Sequence, residues 1–257
     1  MEFLIGLVLA VLIPFLAWKK GSLTAAGSAL SGGMVLVCAL NGLSFVLLMI
    51  LSFAAVTVVE HLLRPRFEAV EAENVLKTGA RDAVQVLANG GWGILALIFY
   101  RFTGADWLPL LFAASLAEAL GDTVASSAGI AAGGTTWDIC RFRRMPVGQS
   151  GGVSLAGTLS CLAACAFVGI AALTLGLAEL SGCLVVILSA FAGCLADSVL
   201  GSLVQRKNRC PVCGAITEKN LHCGRPTVWH KGLHHLNNDG VNALSNLFAV
   251  LLVLFLH

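Results

Sequence analysis

The chain has 257 residues and a formal net charge of +2, and it is 58% hydrophobic but only 12% charged. Because soluble domains carry roughly 25% charged residues, this composition excludes an ordinary soluble protein and predicts a multi-pass membrane protein. The net charge is small and the basic residues are confined to a few loops, which argues against a nucleic-acid-binding protein.

Eight apolar segments follow one another along the chain, and most are close to the roughly 20 residues that a helix needs to cross a bilayer; the sixth is longer, which predicts a tilted helix or a first turn in the interface. They are Phe3–Trp18, Leu23–Leu40, Leu43–Glu60, Ala83–Tyr100, Trp107–Ser126, Gly151–Leu177, Cys183–Val204 and Val241–Leu256. Lysines follow the first segment where a signal peptide would have a cleavage site, which predicts a retained helix. The sequence therefore predicts an all-α fold, a polytopic bundle of about eight transmembrane helices forming a single domain over residues 1–257.

Three longer polar loops separate the predicted spans: His61–Asp82, in which we expect a short surface helix, Gly129–Gln149 and Gln205–Leu236. The loops after odd-numbered spans contain 15 of the 16 Lys and Arg residues, and the loops after even-numbered spans contain only Arg101. Under the positive-inside rule this alternation predicts that the long loops face the cytosol and that both termini lie outside the cell membrane.

Several predicted spans carry acidic or amide side chains near their cytosolic ends. Glu118 and Asp122 are four residues apart and therefore share one face of a helix. The others are Gln85 and Asn89 in the fourth span, Asp197 in the seventh, and Asn237, Asn238, Asp239 and Asn242 at the start of the eighth. Carboxylates are unfavourable at bilayer depth, so this pattern indicates a site. Because the outer halves of the spans carry almost no charge, we expect a pocket open to the cytosol and not a transport path.

Carboxylates and amides surrounded by arginines are the groups that bind Mg²⁺ and phosphate. Two glycine-rich segments, Gly129–Gly134 and Gly148–Gly152, would bring backbone N–H groups to phosphate oxygens beside Ser154 at a helix start. The chain has no G-x-x-x-x-G-K-[ST] sequence, which excludes a P-loop kinase. The alternative is that the acids and amides hydrogen-bond to one another and only hold the bundle together.

The loop over residues 205–236 contains a second candidate site. Cys210-Pro-Val-Cys213-Gly and His222-Cys223-Gly are two glycine-ended turns in a loop that we expect in the reducing cytosol. Paired thiols there bind zinc more often than they form disulfides. We therefore expect a structural Zn²⁺ held by Cys210, Cys213 and Cys223, with His222 or His230 as the fourth ligand. The alternative is a loop without metal.

Five ordered motifs give the chain a resemblance to a known family. They are Arg81-Asp82 with Gln85-Val86-x-Ala88-Asn89-Gly90; Gly121-Asp122-Thr123-x-Ala125-Ser126; Pro146-Val147-Gly148-x-x-Gly151-Gly152-Val153-Ser154 with Gly157-Thr158; Asp197-Ser198-x-x-Gly201; and Asn238-Asp239-x-Val241-Asn242. Together they resemble an integral membrane family catalogued as domain of unknown function ninety-two, which includes the plant phytyl-phosphate kinase of vitamin E synthesis. The resemblance spans essentially the whole chain. One position departs from it: Ser127 stands where the family usually has Glu.

The resemblance implies a membrane-embedded kinase, distantly similar to polyprenol kinases, that transfers a phosphoryl group from CTP or another nucleoside triphosphate to an isoprenoid monophosphate. It implies that Asp122 and Asp197 hold Mg²⁺ on the nucleotide and that Asp239 is a second ligand or orients the attacking phosphate. The residues expected to contact nucleotide or phosphate are Arg81, Gln85, Asn89, Glu118, Arg141, Arg143, Arg144, Gly151, Gly152, Ser154, Asn238 and Asn242. The alternatives are a CDP-lipid-type transferase and a lipid-phosphate carrier or flippase.

Overall fold

The computed structural model describes the backbone of residues 1–74 and 79–257, and the side chains of residues 1–64 and 79–257. Over these residues the helices are α1 (Glu2–Lys19), α2 (Ala25–Asn41), α3 (Leu43–Asn74), α4 (Ala83–Thr103), α5 (Leu108–Ala132), α6 (Leu155–Thr174), α7 (Leu180–Leu203) and α8 (Asn238–Leu256). Seven of them are long and apolar enough to cross a membrane, and α2, with 17 residues, is shorter. The predicted all-α bundle of about eight helices is confirmed.

The even-numbered helices begin with polar caps that mark one end of the bundle. The capping residues are Thr24 for α2, Asp82 for α4, Ser154 for α6 and Asn237 for α8. In each case a side-chain oxygen accepts a hydrogen bond from a backbone N–H in the first turn of the helix. Backbone hydrogen bonds between residues 22–24 and Arg81 join two of the connections at this end. We term it the capped end; the connections after α1, α3, α5 and α7 lie there.

Helix α5 lies at the centre of the bundle. Between Leu108 and Leu120 every residue except Ala119 is buried. Small residues allow the neighbouring helices to approach closely. A Cβ atom on Gly121 would lie only 2.9 Å from the sulphurs of Cys165 in α6 and Cys194 in α7. This close approach brings the polar side chains of α5 against the neighbouring helices.

Several helix boundaries differ from the prediction; α5, for example, ends at Ala132 and not at Ser126, so Gly129 of the first glycine-rich segment lies within this helix. The sixth span was expected to begin at Gly151, but α6 begins at Leu155 and ends at Thr174, so its 20 residues need no tilt to fit a bilayer. Likewise α3 does not end at Glu60 but continues to Asn74, through much of the segment expected to be a loop. The remainder of that expected loop includes residues 75–78, which lie outside the described residues.

A small sheet explains the late start of α6. Strands β1 (Thr136–Asp138), β2 (Arg144–Met145) and β3 (Gly152–Val153) are antiparallel in the order β2-β1-β3. Trp137 pairs with Arg144 on one side and with Val153 on the other. The glycine-rich segment between α5 and α6 is therefore an ordered sheet and not an irregular loop.

The segment between α7 and α8 carries five more short strands. They are β4 (Lys207–Arg209), β5 (Ile216–Thr217), β6 (Leu221–His222), β7 (Arg225–Pro226) and β8 (Val228–Lys231). A three-stranded sheet has the order β5-β4-β8, and β6 pairs with β7. We term residues 205–236 the β-insert. It lies beside the first sheet, since Lys207 Nζ donates a hydrogen bond to Ser150 O at 2.5 Å.

Candidate functional site

Glu118 is almost fully buried, and both of its carboxylate oxygens accept hydrogen bonds from α8. Ser245 Oγ donates to one oxygen at 2.7 Å, and Asn246 Nδ2 donates to the other at 2.7 Å. Asn246 is itself bonded to Ser115, through its amide nitrogen to Ser115 O and through its Oδ1 to Ser115 Oγ. This network favours a packing role for Glu118, joining α5 to α8, over the nucleotide contact predicted from sequence.

Asp122 and Asp197 lie beside Glu118 and are each only partly covered. The negative charge of Asp122 acts on both Glu118 and Asp197, and that of Glu118 acts on Asp197. Ser245 Oγ, which donates to Glu118, lies 3.4 Å from Asp197 Oδ2. Among the described side chains Asp122 has no hydrogen bond and no ion pair. The structure thus brings together three carboxylates from α5 and α7 without an adjoining cation among the described residues.

The amide of Asn242 connects this group of carboxylates to α4. One terminal atom lies 3.2 Å from Asp197 Oδ2, and the other lies 3.2 Å from Asn89 Oδ1. When the amide nitrogen faces Asp197, it also donates to Asn238 O at 3.0 Å. Asn89, Asn238 and Asn242, predicted from three separate positions in the sequence, therefore lie in one chain of contacts with Asp197.

An open cavity, which encloses about 650 Å³ when the space open to solvent is included, lies on the neighbouring flank of α5, between α2, α3, α4 and α5. Its polar lining consists of Arg81, Gln85, Asn89 and Thr123, together with Ser52. Its apolar lining consists of Met34, Met49, Phe53, Val56, Val86, Ile94, Phe112, Leu116, Ala119 and Leu120, with Gly90. Asn89 belongs to both the cavity wall and the contacts that lead to Asp197, so the cavity and the carboxylates form adjoining parts of one site.

Arg81 and Gln85 lie where this cavity meets the capped end. Arg81 forms an ion pair with Glu60 of α3, and its side chain is 28% exposed. Gln85 completes a capping box, because its Oε1 accepts from the Asp82 backbone N–H while its own N–H donates to Asp82 Oδ1. Arg81 can therefore face an anion, whereas the Gln85 side chain also holds the start of α4 in place.

Arg141 lies in the turn between β1 and β2 and is held by Asp138, a residue that the sequence analysis did not single out. Arg141 Nη1 donates to Asp138 Oδ2 at 3.0 Å and to Ser202 Oγ at 3.0 Å, and Ser202 Oγ donates to Asp138 Oδ1 at 2.7 Å. Although burial opposes ionisation, these bonds and the N–H groups of Cys140 and Arg141 hold the pKa of Asp138 well below its usual range. The expected phosphate contact of Arg141 thus competes with an existing structural ion pair.

Arg143 and Arg144 are exposed on the same sheet. The Arg144 guanidinium lies over the Trp137 ring, 5.8 Å from its centroid. The Arg143 carbonyl accepts a hydrogen bond from the Asp138 backbone N–H. No contact within the described residues joins these two arginines to the carboxylates, and their phosphate-binding role stays a prediction.

The glycines of the segment Gly148–Gly152, which were predicted to bind phosphate, have packing contacts in the structure. Gly151 has φ +85°, and a Cβ atom there would overlap the backbone of Ser202 at the end of α7. The Gly152 N–H donates to Gln149 O, so it is already bonded, and Ser154 Oγ accepts from the Gly157 N–H. Gly151, Gly152 and Ser154 join the first sheet to α6 and α7, and this packing is sufficient reason for their residue types.

Glu218 in the β-insert is a further carboxylate that the sequence did not single out. It accepts hydrogen bonds from Gln205 Nε2 at 2.7 Å and from Ser150 Oγ. Burial raises the pKa of Glu218, and nearby Lys207 and Arg206 partly offset that rise. The negative charge of Glu218 repels that of Asp197. It is also repelled by the charge of Asp239, which is buried in the first turn of α8. Asp239 therefore lies near Glu218, and its predicted role as a metal ligand remains untested.

Comparison with known proteins agrees with the resemblance found in the sequence. A family model described as "Integral membrane protein DUF92" matches residues 8–250. This chain is a member of the DUF92 family. The prediction of the family is therefore confirmed, and with it the prediction of an integral membrane protein.

The relatives of this DUF92 member include plant and cyanobacterial proteins. Protein PGR of Arabidopsis thaliana is 29% identical over 279 residues, which cover 96% of this chain and 93% of the relative. Protein VTE6, chloroplastic, of Arabidopsis thaliana is 28% identical over 197 residues, or 72% of this chain and 52% of the relative. An uncharacterised membrane protein of Synechocystis is 34% identical over 113 residues, or 44% of each chain. No solved structure matches.

Proposed function

We propose that this DUF92 member is a membrane-embedded, Mg²⁺-dependent kinase of isoprenoid monophosphates. It transfers the terminal phosphoryl group of CTP or another nucleoside triphosphate to the lipid phosphate, giving the diphosphate. The observation that carries the proposal is the pair of adjoining half-sites: carboxylates with no paired cation among the described residues on one flank of α5, and a cavity with a polar mouth on the other.

The cavity fits an amphiphilic acceptor. Its interior walls are mainly Met, Phe, Leu, Ile and Val side chains, which suit a prenyl tail, and Arg81, Gln85 and Asn89 supply hydrogen-bond donors for a phosphate. An arginine at the polar mouth would bind the phosphate, and the apolar interior would bind the tail. This arrangement supports a lipid phosphate as the acceptor.

The carboxylates fit Mg²⁺ bound to a nucleotide better than a metal held by protein alone. Asp122 and Asp197 are hard oxygen donors close enough to repel each other. The close-set ligand groups found among the described residues are cysteine-based and do not include these carboxylates. Mg²⁺ commonly takes one or two carboxylates and completes its shell with phosphate oxygens and water. When bound, Mg²⁺ would neutralise charge on the transferring phosphoryl group.

The remaining residues would position the reactants. The Asn89–Asn242 contact lies between the cavity and Asp197, so it is placed to hold the lipid phosphate in line with the nucleotide. The acceptor oxygen of a phosphate is already ionised and needs little base catalysis. Its oxygen forms a new P–O bond to the terminal phosphorus of the nucleotide as the bond to the nucleoside diphosphate breaks.

The test is to incubate purified protein in lipid nanodiscs with Mg²⁺, each labelled nucleoside triphosphate and prenyl monophosphates of several lengths. Formation of a labelled prenyl diphosphate supports the proposal. A CDP-lipid product would replace it with the transferase alternative. Absence of nucleotide turnover with every acceptor, together with protein-dependent movement of lipid phosphate between leaflets, would replace it with the carrier alternative.

The predicted orientation bears on the same proposal. If the capped end faces the cytosol, as the positive-inside pattern predicts, then the carboxylates face the compartment that holds nucleoside triphosphates. Cysteine labelling with a membrane-impermeant reagent at a Lys20→Cys position, in a variant lacking Cys140, Cys213 and Cys223, would check it. Labelling of intact cells from outside contradicts this orientation.

A further inference from the structure

Four potential metal ligands converge in the β-insert. The ligand atoms of Cys210, Cys213, His222 and Cys223 all lie within 4.8 Å of one another. His222 Nδ1 is 3.5 Å from Cys213 Sγ and 3.3 Å from Cys223 Sγ, and the last two sulphurs are 3.7 Å apart. His230, the other histidine considered from sequence, lies on β8 and is not part of this group.

Two turns place these ligands by local backbone conformation. In the first, between β4 and β5, the Val212 N–H points to Cys210 Sγ at 3.4 Å and the Gly214 N–H donates to Cys210 O. In the second, between β6 and β7, Cys223 has φ +51° and is followed by Gly224 at φ +71°. A positive φ at cysteine is unfavourable, so the fold must hold it there. Both turns therefore aim their sulphurs at one point.

We propose that Cys210, Cys213, His222 and Cys223 bind one structural Zn²⁺ ion. Three thiolates and one imidazole form a closed set of four ligands, which is typical of structural zinc sites and leaves no position for a substrate. The ion holds the β4–β5 turn against the β6–β7 turn. This inference does not depend on the proposed kinase activity.

The β-insert needs such a cross-link because its own packing is slight. Its strands contain two to four residues, and Val212, Leu221, Val228 and Trp229 are exposed. Small units without a sufficient apolar core are commonly stabilised by a metal or by disulfides. Strand β4 carries Lys207, which donates a hydrogen bond to Ser150 beside the first sheet. Because Zn²⁺ would hold the strands together, it would also keep this contact in place.

A second group of thiols in the bundle does not meet the same requirements. The sulphurs of Cys161, Cys165 and Cys194 also lie within 4.8 Å of one another, but this group has three ligands. Cys165 Sγ and Cys194 Sγ point to the backbone oxygens of Ala117 and Glu118, at 3.7 and 3.4 Å. These thiols pack in the space left by the missing side chain of Gly121. In the experiment below, the variant Cys165→Ser shows whether bound zinc depends on this group or on the β-insert.

The experiment measures zinc in protein purified in detergent without chelator. We expect about one zinc per chain in the wild type, in Cys140→Ser and in Cys165→Ser, and at least about tenfold less in Cys213→Ser and Cys223→Ser. Cys140 is the matched control, because it lies outside both thiol groups at the same end of the bundle. Size-exclusion profiles identify any variant that fails to fold.

A second measurement does not rely on variants. Wild-type protein exchanged with Co²⁺ should show thiolate-to-cobalt charge-transfer absorption, which Zn²⁺ abolishes. Absence of both zinc and this absorption in the wild type would overturn the proposal. It would also be overturned if zinc persisted in folded Cys213→Ser and Cys223→Ser, if zinc were lost only in Cys165→Ser, or if freshly purified protein contained a Cys213–Cys223 disulfide.

Discussion

Two aspartate environments at the capped end of the bundle differ in how the carboxylate is neutralised. Asp138 accepts hydrogen bonds from Ser202 Oγ, from the Arg141 guanidinium and from two backbone N–H groups. Asp122 and Asp197 instead interact with each other and with Glu118, all of the same charge.

The difference indicates that Asp138 belongs to a complete structural contact, whereas Asp122 and Asp197 belong to a site that a ligand would complete. At Asp138 the chain itself supplies the cation and the donors, so the carboxylate stabilises the first sheet. At Asp122 no described side chain does so, and a buried group of like charges is unfavourable unless something external neutralises it. Substitution of Asp122 should therefore lower activity without lowering stability, whereas substitution of Asp138 should lower stability without lowering activity.

The largest expected effect is on activity, at Asp122, which no described cation neutralises. Asp122→Asn should lower prenyl-phosphate kinase activity by about 100-fold or more, because it removes a carboxylate placed for Mg²⁺ on the nucleotide. The melting temperature should stay the same or rise, since one of three mutually repelling charges is removed. Product formation and thermal unfolding in detergent measure the two effects.

Asp106→Asn is the matched control for this change, because Asp106 is exposed just before the other end of α5. We expect it to leave both activity and melting temperature unchanged. Activity of Asp122→Asn within about twofold of the wild type would remove Asp122 from the reaction.

The next effect is on stability, at the paired aspartate. Asp138→Asn should lower the free energy of unfolding by about 1–2 kcal/mol, because Arg141 loses its ionised partner and is itself partly exposed. Activity per folded molecule should be retained. Since the pKa of Asp138 is lowered by folding, its contribution is present above its ordinary pKa and is lost as the pH falls below about 4. Melting curves of the two proteins should therefore differ at pH 7 and converge in acid.

Much of the fold and part of the site could be predicted from sequence. Apolar segments of about 20 residues must be helical in a bilayer, so the spans were readable from composition alone. Asp122 and Asp197 were found because a carboxylate inside such a segment has no ordinary structural reason. Asn242 was found because it lies with other polar residues at the start of the predicted last span.

The contacts around Asp138 and Glu218 could not be predicted in the same way. An acid in a polar loop looks solvated, and only the fold brings Ser202, 64 residues away along the chain, to Asp138. The strands near both acids have two to four residues, too short for a period-two pattern to emerge. The close approach of Gly151 to Ser202 in α7 could not be predicted either, and the phosphate-binding role of Gly151 stays a prediction.

A smaller effect distinguishes two arginines that were predicted to share one role. Arg81→Gln should raise the KM for the prenyl phosphate by roughly tenfold, because Arg81 lines the cavity mouth and would lose a charge-assisted bond to phosphate. Arg141→Gln should lower the melting temperature and leave this KM unchanged, because Arg141 is bonded to Asp138. Steady-state kinetics with thermal unfolding of both variants measures the contrast.

Glu60→Gln is the control for Arg81, since it removes the ion pair while keeping the cation at the cavity. Its KM should match the wild type or be lower. If Arg141→Gln raised the KM without lowering the melting temperature, Arg141 would be the phosphate-binding residue. The conclusion that the Asp138–Arg141 pair is structural would then be wrong.

A final effect, a change of stability with pH, concerns Lys207, a buried cation that lies close to Glu218. Burial, and then the charge of Lys231, lowers the pKa of Lys207 to about 8. Between about pH 8 and pH 10 the folded protein releases this proton while the unfolded chain retains it, so wild-type stability should rise with pH by roughly 1–3 kcal/mol relative to Lys207→Gln. Melting temperatures over that range measure the difference, with Lys20→Gln, at the exposed end of α1, expected to follow the wild type.

Parallel curves for wild type and Lys207→Gln would mean that Lys207 is solvated and that it does not contact Ser150. The β-insert, which includes Glu218, would then not be held in a fixed position beside the first sheet, and the charge of Glu218 would not act on Asp197 as part of the site.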